Sequence, residues 1–278
     1  HAPPSVATIV VALLVAAIGF WLFVRRQRRL ENPLLEFSIF LNPAFSAGVL
    51  AAAFAMFAIG GIQLVTTQRF QQVVGFSPLE AGLLVAVIAV ASLPTALLGG
   101  AFLHRVGLLA LITGGLAVAT GGVVVTVVGF QSSFGVLVLG LLVTGAGLGA
   151  AMSVASTAII GNVPVRRAGM AASLEEVSYE FGSLIAVSVL GSLLTAIYTA
   201  SVVLPNGAPA AAGDGIAEAL EAAQGDAAII QAASTAFDSA YLVVMLVVAG
   251  VLAAAAVITG VLLRRYLPGT QSQLHSEH

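Results

Sequence analysis

The stretch Phe134-Gly-Val-Leu-Val-Leu-Gly-Leu-Leu-Val-Thr-Gly-Ala-Gly-Leu-Gly-Ala-Ala-Met-Ser-Val-Ala-Ser-Thr-Ala-Ile-Ile160 decides the fold class. It runs without a single charged residue and is longer than the ~20 apolar residues a helix needs to cross a bilayer. Its apolar residues are continuous rather than alternating, so it is a helix and not a barrel strand. Six similar runs surround it, at Ser5–Val24, Ala44–Thr66, Pro78–Leu98, Leu108–Gly129, Ala171–Tyr198 and Ser239–Leu263. The chain is therefore all-α, a polytopic membrane protein with seven transmembrane helices. Composition agrees: 59% of the 278 residues are hydrophobic and 8% are charged, against about 25% charged in a soluble domain. This excludes a soluble globular protein and a nucleic-acid binder, and the absence of cysteine excludes thiol chemistry and Cys-ligated metal.

The arginines set the expected orientation. The ten basic residues are all Arg. If the segment after the first span is cytoplasmic, Arg25, Arg26, Arg28, Arg29, Arg105, Arg166, Arg167, Arg264 and Arg265 all fall inside and only Arg69 outside, as the positive-inside rule requires. The first span is too long for a cleaved leader, lacks a basic start and is followed by a basic cluster, as a stop-transfer segment is. The expected organisation is a linker transmembrane helix over 1–24, a cytoplasmic linker over 25–43, a six-helix bundle over 44–266 and a cytoplasmic tail over 267–278. In the linker, Leu34, Leu35, Phe37, Ile39 and Phe40 are suited to the membrane surface. An acidic external loop occupies 200–238, with two short Ala-rich helices near Ile216–Ala223 and Asp226–Ala236, the second capped by Asp226. Asp238 is expected to cap the last span. The chain opens on His1 with apolar sequence at once, which reads as a fragment of a longer protein. The Lys-free, Ala/Val/Gly-rich composition fits a GC-rich bacterial genome and a bacterial inner membrane.

Ionisable residues inside a span are functional candidates, because each costs roughly 2.5–3.5 kcal/mol to insert. The sixth span holds three, in Ala168-Gly-Met-Ala-Ala-Ser-Leu-Glu-Glu-Val-Ser-Tyr-Glu-Phe-Gly182. Glu176 and Glu180 are four apart and share a face that Ser183 continues, and Tyr179 lies one turn from Glu175 and Glu176. Like charges so close in a low dielectric are suited to sharing and exchanging a proton, or to attracting an organic cation. The bland alternative is an interfacial cluster, with Glu175 near Arg166 and Arg167 and Glu180 lying deepest. In the second span, Phe54, Met56, Phe57 and Gln63 are candidate cavity-lining residues or ordinary packing groups. Pro94 is expected to kink its helix. Thr144-Gly-Ala-Gly-Leu-Gly149 lies within a span and is read as small-residue helix packing, not as a phosphate loop. His275 and His278 lack companion ligands. No metal site, cofactor or enzyme constellation is expected.

Several motifs in order carry a family resemblance. Ser77-Pro-Leu-Glu-Ala-Gly82 opens the third span and Gly100-Ala-Phe-Leu-His-Arg-Val-Gly107 closes it. Gly145-Ala-Gly-Leu-Gly149 is followed by Asn162-Val-Pro164, Arg167-Ala-Gly169 and the Glu-rich span ending Leu190-Gly-Ser-Leu-Leu194. The order resembles the carboxyl-terminal half of a major facilitator superfamily transporter, and within it the fourteen-helix drug:proton antiporters of the quaternary-ammonium-compound efflux type. Asn32-Pro-Leu-Leu-Glu-Phe-Ser-Ile-Phe-Leu-Asn-Pro43 resembles the stretch entering that family's second bundle. The resemblance implies Glu175, Glu176, Glu180 and Tyr179 as proton-coupling or substrate residues. It also implies Arg105 and Gly107 as a gating loop, although His104 and Leu108 replace the acid and second Arg of the family's loop. Its partners would be the lipid bilayer, a small-molecule cation, protons, and the missing amino-terminal bundle of the same protein. An exporter of a neutral or anionic metabolite and a non-transporting receptor or scaffold remain open alternatives.

Overall fold

The computed structural model describes residues 6–27, 29 and 37–265. The expectations for Ser5, Arg28, Leu34, Leu35, the tail, His275 and His278 lie outside the described residues. The chain divides into two units between Leu41 and Asn42. In the first unit, α1 (Val6–Gln27) is a single apolar helix ending in Arg25 and Arg26. The Arg25 guanidinium lies 5.1 Å from the centre of the Trp21 ring, a cation–π contact that lets an interfacial pair share one turn. Phe37–Leu41 forms a short 3-10 turn.

The second unit is a helical bundle, and its helices begin where the sequence supplies caps. In α2 (Pro43–Gln72), the Asn42 side chain accepts from the backbone N–H groups of Ala44 and Phe45 at 2.9 and 3.2 Å, and Pro43 occupies the first turn. In α3 (Pro78–Leu108), Ser77 and Glu80 form a reciprocal capping box. Pro94 lies inside this helix. The helix runs past the predicted end at Leu98 and stops at Gly107, whose φ of 86° is a conformation that glycine adopts without strain. A π-helical turn over Leu109–Thr113 leads into α4 (Gly114–Ser132). α5 (Phe134–Ile160) coincides with the predicted span. The sixth span is two helices, α6 (Ala168–Ile185) and α7 (Gly191–Ser201), joined by a π-helical turn over Ala186–Leu190. α8 (Ile216–Ala223) and α9 (Ala227–Leu263) complete the order.

Among the described residues six helical stretches are long and apolar enough to cross a membrane. One of them, Pro78–Ser132, contains both α3 and α4. Packing gives their directions. Gly145 and Gly149 of α5 lie against Ile88 and Ser92 of α3, so those two helices run parallel. Gly140 and Gly147 of α5 lie against Thr126 and Ala119 of α4, so those two run antiparallel. The chain therefore doubles back at Gly107, which gives seven apolar helical segments long enough to cross a membrane among the described residues. α5 presents one stripe of small residues to each neighbour, which is how membrane helices gain close packing without a hydrophobic driving force. The α4–α5 contact is nearly self-complementary: Gly122 meets Thr144, and Gly140 meets Thr126. Each buried threonine hydroxyl donates to the carbonyl four residues back, Thr126 to Gly122 at 3.0 Å and Thr144 to Gly140 at 2.8 Å, so neither is left unpaired.

Two expectations for the loop are corrected. α8 forms where predicted, but Asp226–Ala236 is not a separate short helix. Asp226 caps α9 through a 2.9 Å bond from the Ala228 N–H, and α9 then continues unbroken to Leu263. Asp238 is consequently not an N-cap but lies about three turns inside α9. Its carboxylate accepts from Arg69 Nε at 3.0 Å. The Arg69 guanidinium also lies 4.3 Å from the centre of the Phe130 ring and 5.0 Å from that of Phe70. Arg69 is thus neutralised and enclosed where α2, α4 and α9 meet. Its side chain is 15% exposed and that of Asp238 33%. Asp238→Ala strands a mostly enclosed guanidinium, and a loss of about 1–3 kcal/mol is expected. Thermal unfolding of the detergent-purified protein should show a midpoint several degrees lower, and an unchanged midpoint refutes the assignment. The rest of the loop is tied down by the buried Tyr198, whose hydroxyl donates to the Ala212 carbonyl at 2.9 Å.

Candidate functional site

The α6 sequence is the least uniformly apolar of the spans, and its phase is fixed by α2. Gly182 lies against the backbone of Ala53 and Phe57, which turns one side of α6 inward. Ala171, Glu175, Ser178 and Gly182 fall on that buried side. Glu176 and Glu180 fall on an exposed side with Ser173. The shared face of Glu176 and Glu180 follows from their spacing.

The three carboxylates therefore occupy two environments. Glu175 is 9% exposed, and each of its oxygens accepts from a different hydroxyl. Tyr179 O–H donates to Oε1 at 2.8 Å and Ser156 Oγ, from α5, donates to Oε2 at 3.2 Å. Glu175 is the carboxylate enclosed by protein, while Glu180, further along α6 from Arg166 and Arg167, is exposed. Its hydrogen-bond donors are hydroxyls rather than Arg166 or Arg167. Tyr179 is half-buried and serves Glu175.

α2 supplies the neighbouring wall. Met56, Gly60, Gln63 and Thr67 recur at helical spacing and are partly or fully exposed. Gly60 approaches Ser183 of α6 and Ala186 of the π-helical turn that follows it, so this stripe borders the α6 face that carries Glu180 one turn below Ser183. Gln63 is exposed, and its carbonyl accepts from the Thr67 hydroxyl. Phe54 is half-buried against the core. Phe57 is 8% exposed, so its ring lies within the bundle instead of on an open wall. Arg105 is exposed at the end of α3, two residues before the buried, positive-φ Gly107. Among the described residues no ion pair joins Arg105 to the α6 carboxylates.

Ser156 and the Arg69–Asp238 pair were not singled out by sequence reasoning. Ser156 is one of four hydroxyl residues on α5, with Thr144, Ser153 and Thr157, and its target, 19 residues away across a turn, is not marked in the sequence.

Comparison with known proteins accords with this architecture. The family profile for the Major Facilitator Superfamily matches residues 4–186. The multidrug efflux pump LfrA of Mycolicibacterium smegmatis is 29% identical over 267 residues, covering 91% of this chain and 52% of LfrA. The multidrug resistance protein Stp of Mycobacterium tuberculosis is 31% identical over 198 residues, 71% of this chain and 37% of Stp. The methyl viologen resistance protein SmvA of Salmonella typhimurium is 30% identical over 200 residues, 70% of this chain and 40% of SmvA. Among solved structures, a bacterial homolog of the human lysosomal transporter Spinster, inward-facing and unoccupied, superposes with a TM-score of 0.60 at 22% identity, covering 83% of this chain and 50% of that one. The chain thus spans about half the length of the relatives it matches. With seven apolar segments long enough to cross a membrane and this match over most of its length, it is a multi-pass membrane protein that belongs to the Major Facilitator Superfamily.

Proposed function

We propose that the chain supplies the carboxyl-terminal bundle, and one linker helix, of a proton-coupled exporter of lipophilic or quaternary-ammonium cations. The observation that carries this reading is the pair Glu176 and Glu180, two carboxylates on one exposed face of an apolar helix, bordered by the Met56–Gly60–Gln63 stripe of α2. Such a face costs too much to retain as inert surface in a membrane. It fits a central cavity completed by an opposing bundle.

The two bundles rock about that cavity and open it to each side in turn. A flat or greasy cation enters from the arginine-rich, cytoplasmic side. Met56 and its apolar neighbours hold the body of the cation, and a carboxylate of α6 holds its charge. A proton arriving from the other side neutralises the carboxylate and releases the cation outward. Each charge moved across the membrane is worth ~2.3 kcal/mol per 100 mV, so the potential can assist. The names of the relatives support a drug substrate, and methyl viologen, in the name of one, is itself a cation.

The test is ethidium efflux from cells lacking their own pumps and expressing the natural full-length protein, with and without a protonophore. Efflux that stops with the protonophore is the expected result. Good membrane expression without efflux refutes the cation reading and favours export of a neutral or anionic metabolite.

A further inference from the structure

The three α6 carboxylates are not equivalent, and the enclosed one is tied to a second helix. We propose that Ser156 is a positioning residue for the coupling step, holding Glu175 across the α5–α6 seam so that the charge on Glu175 is felt by α5. The proposal rests on the reading of α6 as the coupling helix.

The two hydroxyls on Glu175 differ in what they can report. Tyr179 stands on the same helix, four residues on, and moves with Glu175. Ser156 stands on α5, so its bond to Oε2 is the one that a relative movement of α5 and α6 must stretch. Among the described residues, neither α2 nor α5 brings a charge to Glu175. Within Phe134–Ile160, α5 contains no Asp, Glu, Arg or His, and the single charged residue of α2 is Arg69 near its far end. On its own helix Glu175 faces Tyr179 and the adjacent Glu176, with Glu180 further along and Arg166 and Arg167 in the preceding turn.

A serine suits this place because its hydroxyl both donates and accepts. With Glu175 charged, Ser156 O–H donates to Oε2, a charge-assisted bond. With a proton on Oε2, that O–H donates to Ser156 Oγ, and the serine proton turns to a carbonyl of its own helix, as serine does in helices. No proton leaves the serine in either direction. The seam keeps one hydrogen bond in both states, but the charge-assisted form is roughly twice as strong as the neutral one. Protonation therefore loosens α5 from α6 without leaving a buried polar atom unpaired. Alanine at 156 leaves Oε2 without its partner in both states and removes that difference.

The experiment compares Ser156→Ala, Ser156→Thr and Glu175→Gln in the natural full-length protein, reconstituted in liposomes with an imposed proton gradient and ethidium as substrate. Gel filtration verifies that each variant is folded. Ser156→Ala is expected to lower the maximal rate about tenfold, the kinetic equivalent of losing one hydrogen bond to a charged group. The KM for ethidium should stay within about twofold of the parent value, since Ser156 does not face the cation. Ser156→Thr, which retains the hydroxyl, should recover most of the rate. A parent-like rate for Ser156→Ala overturns the proposal, as does a threonine variant that behaves like the alanine one. Glu175→Gln separates the two levels of inference. If it slows transport while Ser156→Ala does not, the positioning role alone fails. If Glu175→Gln itself transports at the parent rate under the proton gradient, Glu175 is no part of coupling and the proposal fails, while the reading of the Glu176–Glu180 face stands.

Discussion

Glu176→Gln and Glu180→Gln together should reduce protonophore-sensitive ethidium efflux by roughly 100-fold, equivalent to about 2.7 kcal/mol of barrier. Glutamine has the shape of glutamate, keeps a hydrogen-bonding end and removes the charge, so the helix and its packing survive. Both side chains are exposed on α6 and neither has a buried partner to strand. What is lost is the one feature that the face offers a cation or a proton. A contact between a charge and its partner in a partly desolvated site is worth about 1.5–3 kcal/mol, which covers the predicted loss. Each single variant should have a smaller effect, because carboxylates four apart on one face can stand in for one another as the counter-charge. The measurement is initial efflux rate at matched membrane expression, with the parent and both single variants alongside. Unimpaired, protonophore-sensitive efflux from the double variant refutes the assignment of this face as the transport site.

The crossings were legible because a bilayer imposes a length and a polarity that any helix must meet, and α5 begins and ends where its apolar run does. The helix ends were less legible for the same reason. Apolar content records where lipid begins and ends, not where a helix does. α3 therefore runs ten residues beyond Leu98, and α9 starts twelve before Ser239, through sequence that is helical but not required to be greasy. The small residues of Thr144–Gly149 were read as packing, and they are, but which glycine meets which neighbour depends on the phase of three helices. Phase also decides which carboxylate of α6 is enclosed. Glu175 and Glu176 are adjacent in sequence and about 100° apart around the helix, so a rotation of that size exchanges the enclosed carboxylate for an exposed one. That rotation is set by Gly182 against α2, a contact with no local mark. Arg69 and Asp238 are 169 positions apart, and each alone looks like an ordinary residue near a membrane edge. Only the fold makes them a pair.

Gly145→Ala should prevent accumulation of folded protein, while Gly121→Ala should be tolerated, although both place a methyl group in an apolar, Gly-rich helix. A Cβ on Gly145 would lie 2.2 Å from the carbonyl oxygen of Ile88, and one on Gly149 would lie 2.3 Å from that of Ser92. Both obstacles are backbone, so no rotamer change relieves them, and α3 and α5 must separate by an ångström or more. The separation cannot stay local. α5 is packed on α4 from its other side, where a Cβ on Gly140 or Gly147 would meet α4 backbone at 2.3 and 2.4 Å. A shift that frees one seam therefore compresses the other, and overpacking in a core commonly costs 1–3 kcal/mol even where the neighbours can yield. Gly121 is the internal control. It precedes Gly122 in α4, a Cβ on it meets nothing within 4 Å, and alanine is the better helix former by roughly 0.5–1 kcal/mol. A Cβ on Gly122 would meet Thr144 backbone at 2.3 Å, so two adjacent glycines should respond oppositely to the same substitution. The readout is the monodisperse gel-filtration peak of the fluorescently tagged protein and its thermal midpoint. Gly145→Ala or Gly122→Ala matching Gly121→Ala in both would mean that the α3–α5–α4 sandwich is looser than its glycine contacts require. The sandwich carries Ser156 on its central helix, so such looseness would also remove the fixed post against which Glu175 is held.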